Sequence, residues 1–278
     1  MHHALAGMGI DMAFTDDELI TFEASGAELP PGGTSAYVDN DGAHIWHASF
    51  GAGDAVILLH GGMGHSGNWG HQVQPLVDAG HQVVVVDSRG HGRSSRDERP
   101  YSYELMASDV FTVMDALGLK KAAIVGWSDG ACIGLIMADR QPERISGVFF
   151  FACNMDPSGT LPFEATPVID RCFSRHVKDY ARLSATPDQF SSFADAVGLM
   201  QRTQPNYTAD DLARIRVAVT IVQSAGDEFI KPEHAEYLAR SIPGAELAIL
   251  PGVTHFAPLQ RPDMFNATIL EFLRSLPW

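Results

Sequence analysis

The sequence predicts an α/β fold, a mostly parallel sheet with helices on both faces. Short, wholly apolar runs recur at residues 56–59, 83–86, 122–125 and 148–152, as expected of strands buried on both sides. Segments with helical period separate them, at 69–79, 103–117 and 132–140, the last stopped near Pro142. Such alternation builds a parallel sheet covered on both faces. A third observation adds an antiparallel start. Segments 35–38 and 43–50 flank Asp39-Asn40-Asp41-Gly42, a turn by composition, so the sheet is expected to be mixed.

Ahead of these strands, residues 1–33 read as an extension. Thr15 followed by Glu18 resembles a capping box and predicts a short helix, and Pro30-Pro31-Gly32-Gly33 then breaks regular structure. The core is expected over 34–153 and 217–278. Between them, at 154–216, the alternation stops. That insert carries helix-start signals at Thr186-Pro187 and at Thr208 with Asp211, and it is rich in Phe163, Phe173, Phe190, Phe193, Leu199 and Met200. It is expected to be a small helical cap. The alternation resumes with a strand at 219–224, a helix near 233–241, a strand near 247–250 and a last helix near 264–276.

Composition narrows the function. A chain of 278 residues with 45% hydrophobic content can build one large α/β core. Its formal net charge of −15 opposes binding to phosphate backbones and anionic surfaces, so neither nucleic acid nor membrane is an expected partner. No run approaches the ~20 apolar residues that span a bilayer. Cys132, Cys153 and Cys172 have no metal-site or disulfide spacing and read as buried thiols. The acidic Asp16-Asp17-Glu18 argues against a secretory leader. The expectation is a cytoplasmic protein with no cofactor and no metal, either monomeric or a homodimer.

The strongest motif is Gly126-Trp127-Ser128-Asp129-Gly130, between an expected strand and an expected helix. A turn that tight forces strained geometry on the serine, and glycines on both sides let the chain pass. A serine hydroxyl is a weak nucleophile and needs a base. Of the 12 histidines, His255 lies just after the last strand, at the end of the sheet where Ser128 is expected. His60 opens a loop that it is expected to shape, and His91 sits inside a turn. His44 and His47 are expected to be exposed on an early strand, His176 falls in the cap and His234 early in a helix. The base needs an orienting carboxylate. Asp227 follows the strand at 219–224, with Glu228 as the near alternative, and the chain order Ser128, Asp227, His255 fits the nucleophile-elbow arrangement. The backbone N–H of Asp129 and that of Gly62, or alternatively Met63, are candidate oxyanion donors. Trp127, Phe163, Phe173, Phe190, Phe193 and Met200 are the candidate substrate-binding side chains. The run from Asp87 to Ser94 contains glycines and arginines but lacks the Walker spacing, and reads as a turn held by an aspartate–arginine network.

Four motifs in order resemble the α/β-hydrolase superfamily over about 240 residues, from Thr34 onward: His60-Gly61-Gly62 with Trp69 beyond it, the 87–94 turn, the 126–130 elbow, and the loops of Asp227 and His255. The resemblance implies an eight-stranded sheet with its second strand antiparallel, a helical cap after the sixth strand and no cofactor. Trp127 and Asp129 in the elbow resemble the valacyclovir-hydrolase, biphenyl-hydrolase-like branch, in which the aspartate after the nucleophile is implicated in recognising the amino group of amino-acid esters. Local hydrogen bonding is the alternative role for Asp129. The expected activity is hydrolysis of a small-molecule carboxylic ester through an acyl-enzyme on Ser128. Cleavage of carbon–carbon bonds in ring-fission products, lactones or N-terminal prolyl peptides, and acyl transfer, use the same triad. Epoxide hydrolases and haloalkane dehalogenases need an aspartate where Ser128 stands. A ligand-binding receptor on a hydrolase scaffold is the non-enzymatic alternative.

Overall fold

The computed structural model describes residues 17–278. Helix α1 (Asp17–Ser25) leads into strands β1 (Thr34–Asn40), β2 (Ala43–Phe50) and β3 (Asp54–Leu59). A 3₁₀ turn, Ser66–Trp69, enters α2 (Gly70–Asp78). Then follow β4 (His81–Val86), α3 (Tyr103–Ala116), β5 (Ala122–Trp127), α4 (Asp129–Arg140) and β6 (Ile145–Phe151). The insert holds α5 (Pro167–Leu183), α6 (Phe190–Thr203) and α7 (Ala209–Leu212). The chain ends with β7 (Ala218–Ser224), α8 (Pro232–Ser241), β8 (Glu246–Leu250), α9 (Ala257–Gln260) and α10 (Pro262–Ser275).

The strands form one eight-stranded sheet in the order β1-β2-β4-β3-β5-β6-β7-β8. Strand β2 is antiparallel to both neighbours, and the pairs from β4 through β8 are parallel. The β1–β2 hairpin turns on Asp41 (φ 48°) and Gly42 (φ 86°), the left-handed pair that a two-residue hairpin requires. One apolar layer joins Met106, Val110, Ile133 and Leu238 from α3, α4 and α8 to the sheet; the other joins Val73, Leu76, Phe265 and Ile269 from α2 and α10. The sheet therefore has the α/β-hydrolase architecture expected from the sequence.

One expectation needs correction here. His47 is buried, at 3% exposure, because both faces of β2 are covered: Ile45 joins one apolar layer and Trp46 the other. Burial lowers its pKa. His44 is exposed as expected. The segment before β1 holds a short helix, α1, as expected. Leu19 and Phe22 of α1 are buried, and α1 packs along α5 of the insert and against α9. The expected capping residue Thr15 lies outside the described residues.

Strand order reverses at β3, since β4 lies on one side of it and β5 on the other. The connections leaving the carboxyl ends of β3 and β5 thus diverge at a topological switch point, where open α/β sheets form their binding crevices. Gly61 and Gly62 follow β3 and Ser128 follows β5.

Candidate active site

Ser128 occupies the turn between β5 and α4 with φ 54° and ψ −124°, a conformation that side-chain-bearing residues rarely adopt. The flanking glycines explain how the chain tolerates it. A Cβ on Gly126 would lie 2.4 Å from the Gly130 carbonyl oxygen, and a Cβ on Gly130 would lie 2.1 Å from the Leu59 carbonyl oxygen. Only glycine fits either place, so the elbow motif is a steric necessity of this crossing. The turn is pinned by Ser128 N–H donating to Phe151 O at 2.8 Å. Ser128 sits at the N-terminal end of α4, where the helix presents unpaired N–H groups and partial positive charge.

Asp227 follows β7, and its carboxylate reaches His255 Nδ1 at 3.0 and 3.2 Å. Its Oδ1 also accepts the N–H groups of Phe229 and Ile230, each at 2.9 Å, so the carboxylate is held from behind. An Nδ1–H donated to Asp227 leaves His255 Nε2 as the basic nitrogen. Burial alone would depress the His255 pKa. Attraction and hydrogen bonding from Asp227, with further attraction from Glu228 and Asp129, outweigh it and hold the pKa above the ordinary 6.5. Glu228 does a different job. Its Oε2 accepts the backbone N–H of His255 at 2.9 Å, and burial raises its own pKa. Asp227, not Glu228, is the carboxylate on the imidazole.

Ser128 and His255 open onto one cavity of about 170 Å³, also lined by Gly62, Met63 and Asp129. Among the described residues, no protein acceptor takes the backbone N–H of any of these last three. Met63 has φ 63°, so the chain reverses abruptly after Gly62. The loop before it is braced by His60, whose Nδ1–H donates to Gly61 O at 2.7 Å while Nε2 accepts Ser88 N–H at 3.0 Å. Burial pushes the His60 pKa down to about 4, consistent with a neutral, structural ring. The 87–94 turn is the expected aspartate–arginine network. Asp87 binds Arg93 at 3.0 Å, and buried Arg89 binds Asp109 at 2.6 and 3.0 Å.

The expected substrate-binding side chains divide. Trp127, Phe163 and Phe173 line the cavity, and Phe163, 67% exposed, stands at its rim. Phe190, Phe193 and Met200 do not. Phe193 is fully buried, stacked on Tyr180 at 4.7 Å, and Phe190 meets Tyr180 edge-on at 5.5 Å. Phe193, Val197 and Met200 form the inward stripe of α6, and with Phe190 they pack into the apolar layer beneath. Gln201, one residue further, turns into the cavity instead.

Several lining residues carried no motif signal: Asn68, Tyr103, His176, Gln201 and Phe229. Asp129 is buried between two of them. Its Oδ1 accepts the Tyr103 hydroxyl at 2.9 Å, and Gln201 Nε2 donates to Oδ1 at 3.2 Å and Oδ2 at 3.0 Å. Burial raises the Asp129 pKa, though both hydrogen bonds and the attraction of His255 oppose that. The local hydrogen-bonding role is thus occupied. No cluster of three or more metal-ligating side chains occurs among the described residues.

The matches to known proteins agree with this fold. The α/β-hydrolase-fold family matches residues 54–168. The human serine hydrolase BPHL is 27% identical, over 87% of this chain and 87% of its own. A 2-hydroxy-6-oxononadienedioate/2-hydroxy-6-oxononatrienedioate hydrolase of Comamonas testosteroni is 25% identical, over 81% of this chain and 89% of its own. Among solved structures, Est816, described as an N-acyl homoserine lactone degrading enzyme, superposes with a TM-score of 0.67 at 28% identity, covering 85% of this chain and all of its own. With the sheet topology and the elbow, these matches give the chain the α/β-hydrolase fold and a likeness to that superfamily. Its coarse class is that of a hydrolase. No helix among the described residues is long and apolar enough to cross a membrane.

Proposed function

We propose that the protein cleaves small carboxylic esters through an acyl-enzyme on Ser128, with His255 as general base and Asp227 as its orienting acid. The observation that carries this reading is His255, held by Asp227 at 3.0 Å, opening onto the same cavity as a serine in strained elbow geometry. Ser128 Oγ attacks the ester carbonyl as Nε2 takes its proton. The developing oxyanion is met by the Asp129 N–H and by that of Gly62 or Met63. Each such donor is worth about 2.7–4 kcal/mol in the transition state. His255 then protonates the departing alcohol, and a water activated by the same nitrogen releases the acid.

In the resting site Ser128 and His255 are not hydrogen-bonded to one another. Such contacts often tighten only when substrate is bound. Phe163, Phe173 and Phe229 give the cavity a largely apolar wall, which suits an uncharged acyl or alcohol group bound by burial. An intramolecular ester is the same chemistry, and the likeness to Est816 supports including lactones in the first substrate panel. We further propose that the enzyme works in the cytoplasm without cofactor.

The test pairs labelling with turnover. A fluorophosphonate should modify Ser128, as read by peptide mass spectrometry, and the protein should hydrolyse a short-chain nitrophenyl ester. Ser128→Ala should fold, escape labelling and lose about 10⁶-fold in turnover. A soluble variant keeping a tenth of the activity would overturn the assignment. Labelling without turnover of any ester or lactone would favour a receptor.

A further inference from the structure

The carboxylate beside the nucleophile links three parts of the molecule. Asp129 opens α4, Tyr103 opens α3, and Gln201 lies on α6 of the insert. Their hydrogen bonds meet on one buried carboxylate, the Tyr103 hydroxyl at 2.9 Å and the Gln201 amide at 3.0 and 3.2 Å. The same group presses on the loop after β3. A Cβ placed on Gly62 would lie 2.4 Å from Gln201 Nε2 and 2.5 Å from Asp129 Oδ2. The two backbone positions proposed as oxyanion donors, Gly62 and Asp129, therefore both bear on this carboxylate–amide pair. A second strut runs parallel to it: the Tyr103 N–H donates to Gln204 Oε1 at 3.4 Å, just past the end of α6.

We propose that Asp129, Tyr103 and Gln201 form a latch that sets the oxyanion hole when α6 is seated, and that Gln201 is a positioning residue for the reaction. The proposal rests on the esterase reading for its kinetic consequences. In it, Asp129 works through the hydrogen bonds it accepts and not as an anchor for a charged substrate. Oδ1 accepts from Tyr103 and Gln201, and the same Gln201 amide reaches Oδ2, so three of the carboxylate's roughly four acceptor sites are engaged within the protein. Loss of Gln201 would let the Gly62 loop and the first turn of α4 relax apart. Displacements near 1 Å at reacting groups cost on the order of 10²-fold in rate.

The experiment compares Gln201→Leu, Asp129→Ala and Asp129→Asn on a neutral nitrophenyl ester, an amino-acid ester and a boronic acid that adds to Ser128. Gln201→Leu should lower kcat by roughly 10- to 100-fold with KM little changed. Boronate affinity should weaken in step with kcat, a response that a stability defect alone would not produce. Asp129→Asn keeps an acceptor for Tyr103 and, after Gln201 turns its amide, a partner for that side chain. It should recover most of what Asp129→Ala loses, on both esters alike. Amide exchange across residues 190–203 should quicken in Gln201→Leu and not in Asp129→Asn, and this readout holds even if no ester is turned over. Failure of the wild type on all esters would count against the esterase reading and leave the exchange result to decide the latch. The latch is wrong if Gln201→Leu leaves kcat and exchange unchanged. It is equally wrong if Asp129→Asn abolishes turnover of the amino-acid ester while sparing the neutral one.

Discussion

The loops at the carboxyl edge of the sheet and the helical insert above them close on one cavity, but they are held there by different means. The loops are fixed from within. Ser128 is pinned to Phe151, His60 braces the turn at Ser88, and Asp227 is gripped by two N–H groups of its own loop. The insert is fixed from without, by the stripe of Phe193, Val197 and Met200 and by a few polar ties that cross to the core. One tie is Gln201 to Asp129; another is Asp179, which binds His65 at 3.1 Å. A fixed site under a separately docked cover implies a division of labour. Changes in the loops should alter the chemistry itself, and changes in the insert should alter which molecules enter and how stably the cover sits.

After loss of the nucleophile itself, the largest expected effect also lies in the loops. Asp227→Asn should lower kcat by about 10⁴-fold, because an amide at Nδ1 favours the wrong imidazole tautomer. Glu228→Gln should cost far less, since an amide oxygen still accepts the His255 N–H. Steady-state kinetics on the two variants decides the matter. Equal and mild effects would break the division, because the loop carboxylates would then be interchangeable supports.

A smaller effect, about tenfold per pH unit on the acid limb, follows from the raised His255 pKa. The base must be neutral, so activity should fall as pH drops through that pKa, with a midpoint above 6.5. The midpoint expected from an unperturbed histidine is near 6.5. Asp227 supplies the largest upward push, so Asp227→Asn should move the limb downward. Stability runs the other way. A folded-state pKa above the unfolded value gives stability that is fully present below the unfolded pKa and lost as pH rises through the folded one. Activity therefore grows over the same pH window in which this contribution to stability fades. A rate profile flat from acid to neutral pH, with acylation rate-limiting, would remove His255 from the mechanism.

The same division explains what could be read from the sequence. The central strands show as apolar runs because both faces of the sheet are covered there, and the loops after β3, β5, β7 and β8 show because glycine, serine, aspartate and histidine stand at strand ends. His47 is misread because it groups with His44, which is exposed at the start of β2, whereas the middle of that strand is covered on both faces. Tyr103 and Gln201 left no trace. They meet Asp129 from 26 and 72 residues away, a juxtaposition made only by the docking of α3 and α6. The phenylalanines of the insert showed that apolar surface must be buried, but not which face of α6 turned down. That depends on the helix's rotation about its axis, which composition does not set.

Phe193 and Phe163 give the finest test of the division, since both lie in the insert and differ only in where they face. Phe193 is fully buried against Tyr180 and contacts His91 at 4.7 Å, so Phe193→Ala should destabilise the fold by about 3–5 kcal/mol, seen as a lowered denaturant midpoint. Its ester preference, measured on the fraction still folded, should hardly change, because no part of it lines the cavity. Phe163 is 67% exposed and stacks on Phe229, which itself touches the His255 ring at 4.7 Å. Phe163→Ala should leave the unfolding free energy within about 0.5 kcal/mol of the parent, as for an exposed side chain. It should instead shift the ratio of kcat/KM between long and short acyl chains by at most about tenfold, the low end of what one apolar contact discriminates. If Phe193→Ala changed chain-length preference and Phe163→Ala did not, the buried stripe of α6 would be shaping the cavity, and the insert would belong to the chemistry as much as the loops do.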